Sequence, residues 1–315
     1  TISGGTNALT ITGNAVFGNG TTDTITDVST LSVSGTTTIN TNTVTTSSTQ
    51  LYTGNLTLGA GTTLTGSTIT TNGTISGGTN ALTITGDAVF GNGTTDTITG
   101  VSTLSVSGTT TINTDTVTTS STQLYTDNLT LGVGTTLTTT NSNVTFNGTL
   151  NSDAALTPRN LILSLGTGTL AIGDSTADVI GGTNALGAIQ ITGKLDLNAA
   201  ILNGASAAGA ASITVSDISD LGANVTTSGT QTYSGAVTVS GTGTRTLTGT
   251  TVTNSSTLNG GAIALTITGN AVVNGAITNV STLGISGTSS LGANVTTSGT
   301  QTYTGAATLS GGDRI

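Results

Sequence analysis

Residues Thr1–Thr65 return almost unchanged as Thr74–Thr138, so the chain carries a tandem unit of about 73 residues. Only Asn14/Asp87, Asp27/Gly100, Asn42/Asp115, Gly54/Asp127 and Ala60/Val133 differ between the two copies. A second pair, LGANVTTSGTQTYSGA from Leu221 and LGANVTTSGTQTYTGA from Leu291, has nearly the same separation. Shorter phrases link the halves: ALTITGNAV begins at Ala8 and at Ala264, and VSTLSVSGT at Val28 returns as VSTLGISGT at Val280. A chain built from copies of one unit stacks neighbours on a shared core, or else each copy folds alone around a core of its own.

The pattern inside the unit favours stacking. Leu9, Ile11, Gly13, Ala15 and Phe17 fall on one parity, with Thr, Asn and Val16 between them, and Leu31, Val33, Gly35, Thr37 and Ile39 repeat the arrangement. Period-two alternation in Thr, Val and Ile marks strands with one buried face, and no window carries helical spacing. Gly and Asn punctuate the strands at short intervals, as in GNG at Gly18 and Gly91. Each unit brings too few bulky residues for an interior about 10 Å thick, which a β-sandwich requires. A coil of strands, with rungs about 4.8 Å apart around a narrow aliphatic interior, is therefore expected, at roughly twenty residues per rung and about sixteen rungs. Tandem small β-sandwich modules forming a fibre are the alternative. The expected organisation is a first repeat block over 1–149 (units 1–73 and 74–149), a divergent junction over 150–212 around Pro158, and a second block over 213–315. Within the junction, the Ala-rich stretch 199–212 is read as an irregular insert or a short helical turn.

Composition narrows function. Of 315 residues only four are Lys or Arg against thirteen acidic ones, all Asp, for a net charge of −9. Arg159, Lys194, Arg245 and Arg314 cannot neutralise a row of phosphates or hold to an anionic bilayer, so neither nucleic acid nor membrane insertion is expected. The chain has no His, no Cys and no Glu, which removes the usual general bases, thiol nucleophiles and soft metal ligands. No catalytic residue, cofactor or metal ligand is assigned, and an enzyme is not expected. There is no signal-like segment and no apolar run long enough to span a bilayer. A start at Thr1 is read as a processed or excised chain.

The phrases TSGTQTYSGAVTV from Thr227, TSGTQTYTGAATL from Thr297, GTTLTGSTI from Gly61 and the TISGGTNALTITGNA unit resemble large repetitive bacterial surface adhesins. The likeness is to the filamentous-haemagglutinin type and to autotransporter passengers. It implies a right-handed parallel β-helix, export to the cell surface, and adhesion or biofilm cohesion. Partners would be a cell-surface glycan or protein, or the chain itself end to end or side by side. The alternatives carried are a subunit of a self-assembling extracellular filament or sheath, and a shaft similar to that of a phage tail fibre.

Four tyrosines stand out as candidate surface contacts, because Tyr52, Tyr125, Tyr233 and Tyr303 share the context T-Q-x-Y followed by Thr or Ser. An exposed aromatic stacks on sugar rings; the ordinary alternative is a ring packed once per unit with its hydroxyl bonded. Asp pairs such as Asp23/Asp27, Asp174/Asp178 and Asp217/Asp220 lack the spacing of a calcium loop and read as turn residues. Asn-x-Ser/Thr triplets at Asn55, Asn128, Asn143, Asn224 and Asn294 allow glycan attachment on an exported chain.

Overall fold

The computed structural model describes residues 1–175, 177–202 and 209–312. The chain is an all-β parallel β-solenoid of about 15 turns, with no helix among the described residues. Every strand pairing described is parallel, which excludes tandem antiparallel sandwiches. The chain forms two compact units, Thr1–Gly148 and Thr149–Ile315.

In the first unit three inward-facing ladders run from turn to turn. Ladder I stacks Ile2, Ile25, Val44, Leu64, Ile84, Val106, Tyr125 and Phe146. Ladder II stacks Ile11, Val33, Tyr52, Thr71, Phe90, Ile112 and Leu131. Ladder III stacks Ala15, Thr37, Leu56, Ile75, Ile98, Val117 and Leu137. The short strands alternate inward and outward, so one residue in two is removed from water and packs on its counterparts above and below. Burial of these columns, at about 25 cal/mol per Å² of apolar surface, is what offsets ordering so polar a chain.

The repeat does not close on the turn. Ile25 lies in ladder I and its copy Ile98 in ladder III; Tyr52 lies in ladder II and Tyr125 in ladder I; Phe17 pairs within the third set of strands and its copy Phe90 lies in ladder II. From Ile25 to Ile98 the chain passes nine strands, two of which, Thr62–Thr71 and Leu82–Phe90, each serve two ladders, so the unit advances eleven ladder positions where a turn takes three and copy two sits one ladder away from copy one. Corners tolerate this because glycines stack there: a Cβ on Gly35 would lie 2.5 Å from the carbonyl carbon of Gly13, and one on Gly54 would lie 2.5 Å from the Gly35 oxygen.

The second unit repeats the scheme on its own three ladders. Ile180, Ile201, Val225, Leu247, Ile267, Ile285 and Tyr303 form one, and Leu163, Ile191, Val215, Tyr233, Asn254, Val273, Leu291 and Leu309 another. Tyr233 and Tyr303 are again eleven ladder positions apart, although fewer residues separate them than separate Tyr52 from Tyr125, so the spacing drifts while the ladder count holds. The segment expected as a junction contributes the two longest strands, Leu161–Ile172 and Leu186–Leu197, to the same coil. Of the stretch read as an insert or helical turn, Ala200–Ile201 and Ala210–Val215 are strands, and 203–208 lie outside the described residues.

Candidate functional site

The shared T-Q-x-Y context builds an interior clamp. Tyr52 and Tyr125 are fully buried and Tyr233 is nearly so, which overturns the expectation that they offer surface contacts. The hydroxyls of Tyr52, Tyr125 and Tyr233 donate to the Oε1 atoms of Gln50, Gln123 and Gln231 at 2.8, 3.1 and 3.1 Å. Each glutamine Nε2 in turn donates to a carbonyl six positions back, Val44, Val117 or Val225, and to one on the next turn, Thr65, Thr138 or Thr248. A buried amide satisfied in this way locks two successive turns together at a corner. Burial pushes all three phenols well above their ordinary range. Tyr303 keeps the internal bond to Gln301, at 2.8 Å, but is only half-buried, so it alone of the four retains access to solvent.

The other polar candidates serve the backbone. Asp23 and Asp96 accept from the amides of Asn19 and Asn92, and Asp178 accepts from Ser175, each closing its own loop. Among the described residues no three carboxylates come together in a way that could hold a metal ion. Of the glycan-type asparagines, Asn55 and Asn224 aim Oδ1 at the amides of Thr74 and Thr246 on the next turn. Among the described residues no helix is long and apolar enough to cross a membrane. Arg245 is the one buried cation among the described residues; its guanidinium reaches Ser240 O at 2.7 Å and Asn224 Oδ1 at 3.4 Å. Loss of hydration lowers its pKa, and the Asp220 carboxylate partly restores it.

What the turns present outward is ranks of threonine. On the outside of ladder I, Thr24-Ile25-Thr26, Thr43-Val44-Thr45, Thr63-Leu64-Thr65 and Thr83-Ile84-Thr85 lie on four successive turns. Thr43, Thr63 and Thr83 are in register, and so are Thr45, Thr65 and Thr85. The copies Thr97-Ile98-Thr99, Thr116-Val117-Thr118 and Thr136-Leu137-Thr138 form a second array outside ladder III. The hydroxyls of Thr45, Thr63, Thr65, Thr83 and Thr85 make no hydrogen bond to described residues, whereas some inward threonines do: Thr62 Oγ1 donates to Thr41 O at 2.9 Å and Thr135 Oγ1 to Thr114 O at 3.0 Å. The signal for these ranks lay in the sequence as T-x-T triplets beginning at Thr43, Thr63 and Thr83, but it emerges only once the turn length is known.

Compared with protein-family models, curated proteins and solved structures, the chain matches none.

Proposed function

We propose that the chain is an exported, non-enzymatic rod segment of the bacterial cell surface, acting in adhesion or cell-to-cell cohesion. The coil is right-handed on this reading, and the copied unit is the element by which the rod was lengthened. One observation carries it: aromatic rings and amides that could do local chemistry are turned inward, while the exterior repeats uncharged hydroxyls from turn to turn. Such a surface binds by summing weak contacts along its length rather than by one deep site. Partners are a surface glycan, a surface protein or a further copy of the chain.

The test is multivalent. Beads carrying the chain at high density are expected to retain bacterial cells or their isolated envelopes, where single chains bind weakly. Equal retention by beads coated with an unrelated Thr-rich protein sinks the adhesive reading. Electron micrographs of the purified chain showing regular filaments would move the assignment to the structural subunit instead.

A further inference from the structure

We propose that the threonine ranks of the first unit are a binding face for crystalline water, so that the chain adsorbs to ice. This rests on the register of outward side chains alone, independently of the adhesive reading.

Parallel turns place equivalent residues roughly 4.8 Å apart, and residues two apart on one strand lie roughly 6.7 Å apart. Thr43/Thr45, Thr63/Thr65 and Thr83/Thr85 therefore form a two-dimensional mesh of hydroxyls and methyls with those two repeats. A ligand that matches in both directions must itself be periodic in two directions, and this mesh is close to the oxygen spacings on low-index faces of hexagonal ice. Charge complementarity points the same way. The six mesh residues are all uncharged, and the residues between them in each strand, Val44, Leu64 and Ile84, are fully buried. A protein partner would find no anchor residue or ion pair here, and a sugar would find no aromatic platform, because the tyrosines of this unit face inward. The threonine hydroxyls without partners among the described residues can accept and donate within a water lattice, while their methyls keep the intervening water ordered.

The structure repeats the mesh. Thr116/Thr118 and Thr136/Thr138 are in register and correspond residue for residue to Thr43/Thr45 and Thr63/Thr65. The advance of eleven ladder positions puts this copy outside ladder III, so a crystal engages one array or the other.

The experiment measures thermal hysteresis and adsorption of the fluorescently labelled chain to a single ice hemisphere. The unaltered chain is expected to coat defined planes and to depress growth. The quadruple variant T63K/T65K/T136K/T138K, which breaks both arrays, is expected to lose at least tenfold of the hysteresis. Thr70→Lys, on the outside of ladder II, is expected to keep it. Circular dichroism melts show that each variant folds, and T63A/T65A/T136A/T138A, for which the same loss is expected, replaces the lysine variant should that one unfold. Absence of adsorption by the unaltered chain overturns the proposal. So does full activity in a folded array variant, or retention on microcrystalline chitin or cellulose with none on ice.

Discussion

Two stretches of the first unit, 1–73 and 74–148, carry nearly one sequence on different sides of one coil. Val33 and Val106 are both fully buried, as are Tyr52 and Tyr125, although each pair is split between ladders II and I. The sides of the coil are thus interchangeable, and burial is set by alternation and by the turn above and below. The rotation follows from eleven ladder positions not dividing by three. Inserting one more copy of the unit consequently leaves every inward residue inward, while any outward feature moves one side round.

The largest effect that tests this equivalence comes from alkali. The buried tyrosines have pKa values raised far above the 10.0 of a free phenol, so the native chain keeps protons that the unfolded chain releases. Their contribution is fully present below pH 10 and is lost as pH rises above it, by about 1.4 kcal/mol per pH unit for each phenol. A pH titration followed by tyrosinate absorbance should show Tyr303 ionising first and the other three only with unfolding. Four phenols titrating together in a folded chain would contradict the buried clamp on either side.

Substitution separates the two copies. Tyr52→Ala and Tyr125→Ala are each expected to cost roughly 3–5 kcal/mol in urea unfolding, as for other large aromatic truncations. Tyr125 has the larger cost, by about 0.5–1.5 kcal/mol, because its ring packs on Phe146 with centroids 5.4 Å apart. A cost at Tyr52 far below that range would show that the sides differ after all. Gln123→Ala strands the Tyr125 hydroxyl and the carbonyls of Val117 and Thr138, and about 2–3 kcal/mol is expected from the unpaired groups.

A stabilising change should also appear equally in both copies. Thr37 and Thr110 occupy one repeat position, which returns as Ser219 and Ser289, and all four hydroxyls are buried with no partner among the described residues. Thr37→Val and Thr110→Val keep the shape and remove an unsatisfied group, so each is expected to raise stability by about 1–2 kcal/mol. Destabilisation by either change, read from the same urea midpoints, would mean that the hydroxyl is paired in solution.

The strands and the stacking were legible because alternation and tandem copying are local signals. The ladder each strand joins was not, since it depends on corner lengths that vary: along ladder I the step from Ile2 to Ile25 is longer than the step from Ile25 to Val44. The tyrosines illustrate the difference. Gln50 and Tyr52 share parity with Val44, which places them inward, while the residue between them varies as Leu51, Leu124, Thr232 and Thr302, as an outward position can. Leu51 is the more apolar residue of the pair Gln50/Leu51, yet it is only half-buried while Gln50 is fully buried, because the clamp of amide to phenol prevails. The threonine ranks were not legible because no single T-x-T triplet is unusual in a chain where about a quarter of the positions are Thr.

The smallest expected effect concerns the one substitution between copies that falls on a special backbone conformation. Asp27 and Gly100 have φ of 58° and 67°, and the same position in the second unit, Asn279, has 55°. In both copies the carbonyl there accepts from a threonine amide at 2.6 Å, Thr6 in one and Thr79 in the other, so the geometry is shared. Left-handed backbone suits Gly best, Asn and Asp next, and other residues poorly. A Cβ at Gly100 would approach nothing nearer than the Gly78 amide nitrogen, at 3.4 Å, so Gly100→Ala carries a conformational cost alone, about 1 kcal/mol. Gly100→Asp should cost less than that. The reverse change, Asp27→Gly, relieves strain but gives up the bond from Ser3 Oγ to Asp27 Oδ2 at 3.0 Å, and the two nearly cancel, within about 0.5 kcal/mol. If thermal melts instead showed Gly100→Ala to be neutral, the left-handed turn would not be a requirement of the coil, and Asp, Gly and Asn would share this position only because all three favour turns.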